Sequence, residues 1–158
     1  MAMIPMNDAS IVVIDASVIV SIVSIEIETH VAAKEVLSVY TANGAEFFAP
    51  NVIVGEVVFA LCKKVEAKVL TEAEHAEAIK SFTDFMTRIS VPPDDTQLIK
   101  RAVEIQKTYG CSHSSDNFYI ALTEALASKG LVELFTLDRG MKKQAAKNAP
   151  TITVNVLL

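Results

Sequence analysis

The 158-residue sequence predicts an α/β fold with a mostly parallel central sheet. Three observations carry that prediction. Ile11-Val12-Val13-Ile14 sets four β-branched residues in a row, the pattern of a strand covered on both faces, because a half-solvated strand would alternate. Short apolar runs alternate with stretches of helical period along the whole chain, as βαβ units do. Hydrophobic residues make up 51% of the chain and mean hydropathy is +0.38, which suits a sheet wrapped by helices.

Taken in order, the strand Ile11–Ile14 ends at Asp15, and residues 17–27 read as a short helix and a bend. Residues 29–42 have helical spacing (Val31, Val36, Leu37, Tyr40) and stop at Asn43-Gly44. Glu46 to Ala49 is a second short strand. Pro50-Asn51 opens a helix running to about Val65, with Asn51 expected as its cap. Thr71 and Glu74 make a capping box, and Ala76, Ile79, Phe82 and Met86 line one face of the helix behind it. Ile89 to Val91 is a minimal strand closed by Pro92-Pro93. Residues 94–109 form an amphipathic helix through Leu98, Ala102, Ile105 and Tyr109, followed by a loop from Cys111 to Ser114. A helix over 115–129, a strand over 131–137, a short basic helix over 141–148 and a strand over 151–157 complete the chain. The absence of repeats, low-complexity tracts and linkers predicts one domain over 1–158.

Composition excludes several classes. A net charge of −5 and a pI near 5.2 argue against a broad basic nucleic-acid footprint, though not a local one. No run reaches the roughly 18 apolar residues of a membrane span, so no membrane partner is expected. The start, Met1 to Asp8, lacks a signal peptide's basic and apolar regions, which predicts a cytoplasmic protein. Cys62 and Cys111 form no CxxC pair and read as free thiols. G-x-x-x-x-G-K-[ST] and G-x-G-x-x-G loops are missing.

Four acids stand in unusual places. Asp15 closes the most apolar strand, where α/β folds gather ligands and where an unpaired carboxylate is expensive. Glu56 falls in Val52-Ile53-Val54-Gly55-Glu56-Val57-Val58-Phe59-Ala60-Leu61, which reads as a helix apolar nearly all round and therefore buried; a place at its one wet edge is the bland alternative. Asp116 opens a helix, a position the helix dipole alone favours by about 0.3–1 kcal/mol. Asp138 closes Leu134-Phe135-Thr136-Leu137 as Asp15 closes its own strand, although an Asp before Arg-Gly is commonly a turn residue. If the two strands are parallel neighbours, both carboxylates emerge at one sheet edge. Four such acids would repel one another unless hard divalent cations neutralise them. Oxygen-only donors suit two Mg²⁺ or Mn²⁺, and two ions about 3.5–4 Å apart can drive phosphoryl displacement.

Val13-Ile14-Asp15-Ala16-Ser17-Val18-Ile19, the stretch from Pro50 to Glu56, Asp116 at a helix start and Thr136-Leu137-Asp138 together resemble the PIN domain, in particular the ribonuclease toxins of the VapC type. Order and spacing agree from about Ile11 to Val156. The resemblance implies a PIN-like α/β/α sandwich and a Mg²⁺/Mn²⁺-dependent endoribonuclease that leaves a 5′-phosphate and a 3′-hydroxyl. It implies Asp15, Glu56, Asp116 and Asp138 as metal-binding acids and the hydroxyls of Ser17 and Thr136 as orienting groups. It also implies an antitoxin whose basic segment, through an Arg, reaches the carboxylates. Asn117 is given no role.

Arg139, Lys142, Lys143 and Lys147 form a run without an acid directly after Asp138, and this run is the candidate contact with RNA phosphates; a solvated helix face is the alternative. The apolar helices leave surplus surface for a homodimer. A haloacid-dehalogenase phosphatase would need a second Asp where Ser17 stands. A PIN-like module that only binds RNA or protein is the rival of a different class, and loss of an acid would be its signature.

Overall fold

The structure is a computed structural model, and it describes residues 11–25, 30–111 and 115–157. The first residues, the start of the helix expected from Thr29, and most of the loop expected from Cys111 to Ser114 lie outside the described residues. The element order is β1 (Ile11–Ile14), α1 (Ala16–Val23), α2 (His30–Ala42), β2 (Glu46–Phe48), α3 (Ile53–Glu66), α4 (Glu72–Met86), β3 (Ile89–Ser90), α5 (Ile99–Tyr109), α6 (Asp116–Leu126), β4 (Val132–Thr136), α7 (Arg139–Asn148) and β5 (Thr153–Val156). Single 3₁₀ turns precede α5 and follow α6.

The five described strands form one sheet in the order β3-β2-β1-β4-β5, and every pairing is parallel. Helices α1 to α4 pack among themselves, as do α5 to α7, giving the expected α/β/α sandwich. β1 is the middle strand, and Val12, Val13 and Ile14 are wholly buried, as four consecutive β-branched residues require. The chain winds outward from β1 through β2 to β3, then returns to the other side of β1 for β4 and β5. That reversal opens a crevice at the carboxyl ends of β1 and β4, where open α/β sheets bind ligands.

Three local expectations are corrected. Asn51 does not cap α3: its side-chain amide donates to the carbonyls of Pro92 and Pro93. Asp95 takes that task from across the chain, its carboxylate accepting the amides of Asn51 (2.6 Å) and Val52 (2.9 Å). In α4, Ala78 rather than Ala76 joins Phe82 in the core, while Thr71 caps the helix as expected by accepting the Glu74 amide. The third correction concerns α3. It is not buried all round: Ile53, Val57 and Leu61 face the core, whereas Val54, Val58 and Phe59 are 42%, 47% and 64% exposed. The apolar residues on its outer face hid the i, i+4, i+8 stripe that packs inward.

Gly44 ends α2 with φ +79, the left-handed conformation that glycine adopts without strain. Two polar knots fix the frame. Arg101 of α5 donates to both oxygens of Glu124 in α6 (2.7 and 3.1 Å) and to the Asn148 carbonyl at the end of α7 (2.6 Å). Glu133 of β4, 3% exposed, is held by the Tyr40 hydroxyl and by the Asn155 amide at 2.8 Å; a buried carboxylate without such donors would be strongly destabilising. Among the described residues, no helix is long and apolar enough to cross a membrane. Cys62 and Cys111 are exposed free thiols.

Candidate active site

Asp15 lies one residue beyond β1 and is 6% exposed. Its amide donates to the Phe135 carbonyl, so the β1–β4 ladder runs up to the acid itself. Oδ2 accepts from the Ser17 hydroxyl at 2.6 Å and from the Thr136 hydroxyl at 2.7 Å. Ser17 Oγ in turn accepts the Leu137 amide (3.0 Å), and Thr136 Oγ1 accepts the Asp138 amide (2.9 Å). Burial pushes the Asp15 carboxyl above its ordinary pKa, and the Asp138 charge adds to this; the two hydroxyls and the Ala16 amide pull the other way.

Glu56 occupies the half-buried flank of α3, the wet edge that the sequence left open as an alternative. Its Oε1 accepts from the Tyr119 hydroxyl at 2.7 Å. Burial raises its pKa, opposed by Tyr119 and reinforced by the Asp15 charge. Tyr119 is itself fully buried on α6. Burial, then the charges on Asp15 and Glu56, push its phenol pKa far up, so it stays a donor.

Asp116, at the first turn of α6, is half-buried and accepts from Gln144 of α7 at 3.2 Å. Burial, followed by the charges on Asp15, Asp138 and Glu56, raises its pKa to about 7. This acid feels all three others. The helix dipole favours charge there, but desolvation and like charge outweigh it.

Asp138 is exposed and caps α7, Oδ1 accepting the Gly140 amide at 2.7 Å. The turn reading of this residue is therefore borne out. A Cβ at position 140 would stand 2.9 Å from Oδ1, so glycine leaves the carboxylate its place. Arg139, Lys142, Lys143 and Lys147 follow on α7, all exposed.

Sequence reasoning missed Tyr119 and Gln144. Each is buried and polar, and each meets its acid from a distant part of the chain. The signal on offer was a phenol three residues after Asp116 and a glutamine inside an otherwise basic helix; neither names its partner. Asn117, given no role, donates from Nδ2 to the Ala102 carbonyl (3.0 Å), while its Oδ1 is buried without a partner.

The donor chemistry fits Mg²⁺ or Mn²⁺. It consists of oxygens alone, and the hydrogen bonds described at the four acids come from neutral donors. Among the described residues, no three His, Cys, Asp or Glu side chains already surround a single point as ligands do. Spaced carboxylates still suit Mg²⁺, which keeps several waters and takes only one or two carboxylates directly.

A parallel α/β/α fold with Asp15 and Asp138 just beyond the paired strands β1 and β4 is the frame, and sequence comparison supplies the family. The PIN domain matches residues 12–147, and the chain belongs to that family. PIN domains are generally nucleases, and divalent ions typically serve them. No curated protein matches. Among solved structures, the fold is similar to VapBC2 from Rickettsia felis, solved bound to a DNA fragment from its promoter, with TM-score 0.58 and 12% identity over 92% of this chain and 97% of that one.

Proposed function

We propose that the protein is a Mg²⁺- or Mn²⁺-dependent endoribonuclease. The observation that carries this reading is the Asp15 carboxylate just beyond β1, held by the Ser17 and Thr136 hydroxyls at 2.6 and 2.7 Å, beside Asp116, whose pKa is raised to about 7 by burial first and then by the charges on Asp15, Asp138 and Glu56. Such mutual repulsion is what a divalent cation relieves. When bound, the ions supply activation of water and neutralisation of charge at the phosphate. Asp15, Glu56, Asp116 and Asp138 would hold them. Ser17 and Thr136 fix the Asp15 carboxylate, so its oxygens need no reorganisation when an ion arrives. Arg139, Lys142, Lys143 and Lys147 bind the RNA backbone next to Asp138 and orient the scissile phosphate. Attack of water on that phosphorus, with the 3′-oxygen leaving, gives a 5′-phosphate and a 3′-hydroxyl.

The experiment is cleavage of assorted RNAs by purified protein with Mn²⁺, with chelator, and with Asp15→Asn. Metal-dependent cleavage that the substitution abolishes supports the reading. Binding of RNA without cleavage under any metal would replace it with a binding module.

The reading extends to a toxin restrained by an antitoxin, which the likeness to VapBC2 supports. An arginine-bearing segment of that partner would meet the carboxylates. The exposed Val54, Val58 and Phe59 of α3 support a homodimer. Sedimentation as a monomer at all concentrations would remove the dimer.

A further inference from the structure

Tyr119 stands at a junction that its burial alone does not explain. Its hydroxyl lies 2.7 Å from Glu56 Oε1, and its ring is fully buried on α6. The helix that carries it begins with Asp116, one turn away, and residues three apart share a helix face. One phenol therefore connects the acid of α3 with the helix of the third acid.

Glu56 needs such a fixture. Its helix packs inward through Ile53, Val57 and Leu61, and the neighbouring Val54 and Gly55 are exposed and offer no side-chain donor. A glutamate left to itself there would sample many rotamers.

We propose that Tyr119 is a positioning residue that holds Glu56, through its hydroxyl, in the orientation that binds the divalent cation. The proposal rests on the metal-nuclease reading above. A residue that only filled the core would need the ring and not the oxygen.

Tyr119→Phe keeps the ring and removes that oxygen. Calorimetric titration of the RNA-free protein with Mn²⁺ is the test, applied to wild type, Tyr119→Phe, Glu56→Ala and the double variant. Partners of metal ligands typically contribute 10–100-fold in affinity, so Tyr119→Phe should weaken Mn²⁺ binding by roughly tenfold. In the Glu56→Ala background it should have no further effect. Thermal melts with and without Mn²⁺ give a second readout: the Mn²⁺-induced rise in Tm should shrink in Tyr119→Phe. Wild-type affinity in Tyr119→Phe, or an equal loss with and without Glu56, overturns the proposal and leaves the metal site standing. Wild type that binds no Mn²⁺ overturns the metal site and the proposal together.

Discussion

Thr136 and Asp15 end neighbouring parallel strands, and the Thr136 hydroxyl donates to Asp15 Oδ2 at 2.7 Å while accepting the Asp138 amide at 2.9 Å. One side-chain oxygen thereby joins the first acid of the site to the last. Thr136→Val keeps the shape and removes both bonds, leaving the Asp138 N–H without its acceptor. The variant should lose about 1–3 kcal/mol in urea unfolding and lose RNA cleavage with it. A fully stable, fully active Val variant would deny the linkage.

Asp116 makes a pH prediction. Its folded pKa, about 7, lies above the roughly 3.9 of an unfolded aspartate, so the folded chain binds the extra proton. Its contribution to stability is complete below pH ~4 and is lost as pH rises to about 7. Without metal, stability should therefore fall across that window, and Mn²⁺ should restore it at neutral pH. Asp116→Asn should flatten the profile, raise neutral-pH stability by roughly a few kcal/mol at most and abolish cleavage. Melts at several pH values decide. A destabilised, still active variant would mean that the acid serves only the helix.

The basic run on α7 is tested by salt. For single strands the slope of log affinity against log salt changes by about 0.7 per phosphate contact. Lys142→Ala with Lys143→Ala should thus lower the slope by roughly 1.4 if both lysines touch phosphate. An unchanged slope would mark a solvated face.

Asp95 is not one of the four candidate acids and should matter for stability alone. It accepts the Asn51 and Val52 amides at the start of α3, and losing a cap typically costs ~0.5–2 kcal/mol. Asp95→Ala should show that loss in urea melts and keep wild-type Mn²⁺ affinity. Weakened Mn²⁺ binding at equal folded fraction would show that the start of α3 sets the aim of Glu56.

How much was legible depended on where each signal lay. Asp15 announced itself because a carboxylate ends an apolar strand, an inconsistency visible within seven residues. Asp138 became visible by repetition of that pattern, and the β1–β4 pairing brings the two strand ends together. Glu56 was legible as an anomaly, but its surroundings were misread: Val54, Val58 and Phe59 suggested burial all round, and these three residues face outward. Tyr119 and Gln144 were illegible for a different reason. Their partners lie 63 and 28 positions away, and composition does not encode pairings at that range. Asn51 illustrates competition: a residue suited to capping was drawn to the Pro92 and Pro93 carbonyls, and Asp95 replaced it.

The register Ile14↔Phe135 also has a meaning in time. Most of the chain separates these two neighbours, and such distant strand pairings form slowly because the intervening loop must close first. Synthesis proceeds from the amino terminus at about 5–20 residues per second, so β1 waits for β4 while α1 to α6 emerge. Asp15, Glu56 and Asp116 are made well before Asp138. A ribosome that has not yet passed position 138 thus carries a chain whose fourth acid does not yet exist, and the complete acid set arises only once β4 has been made.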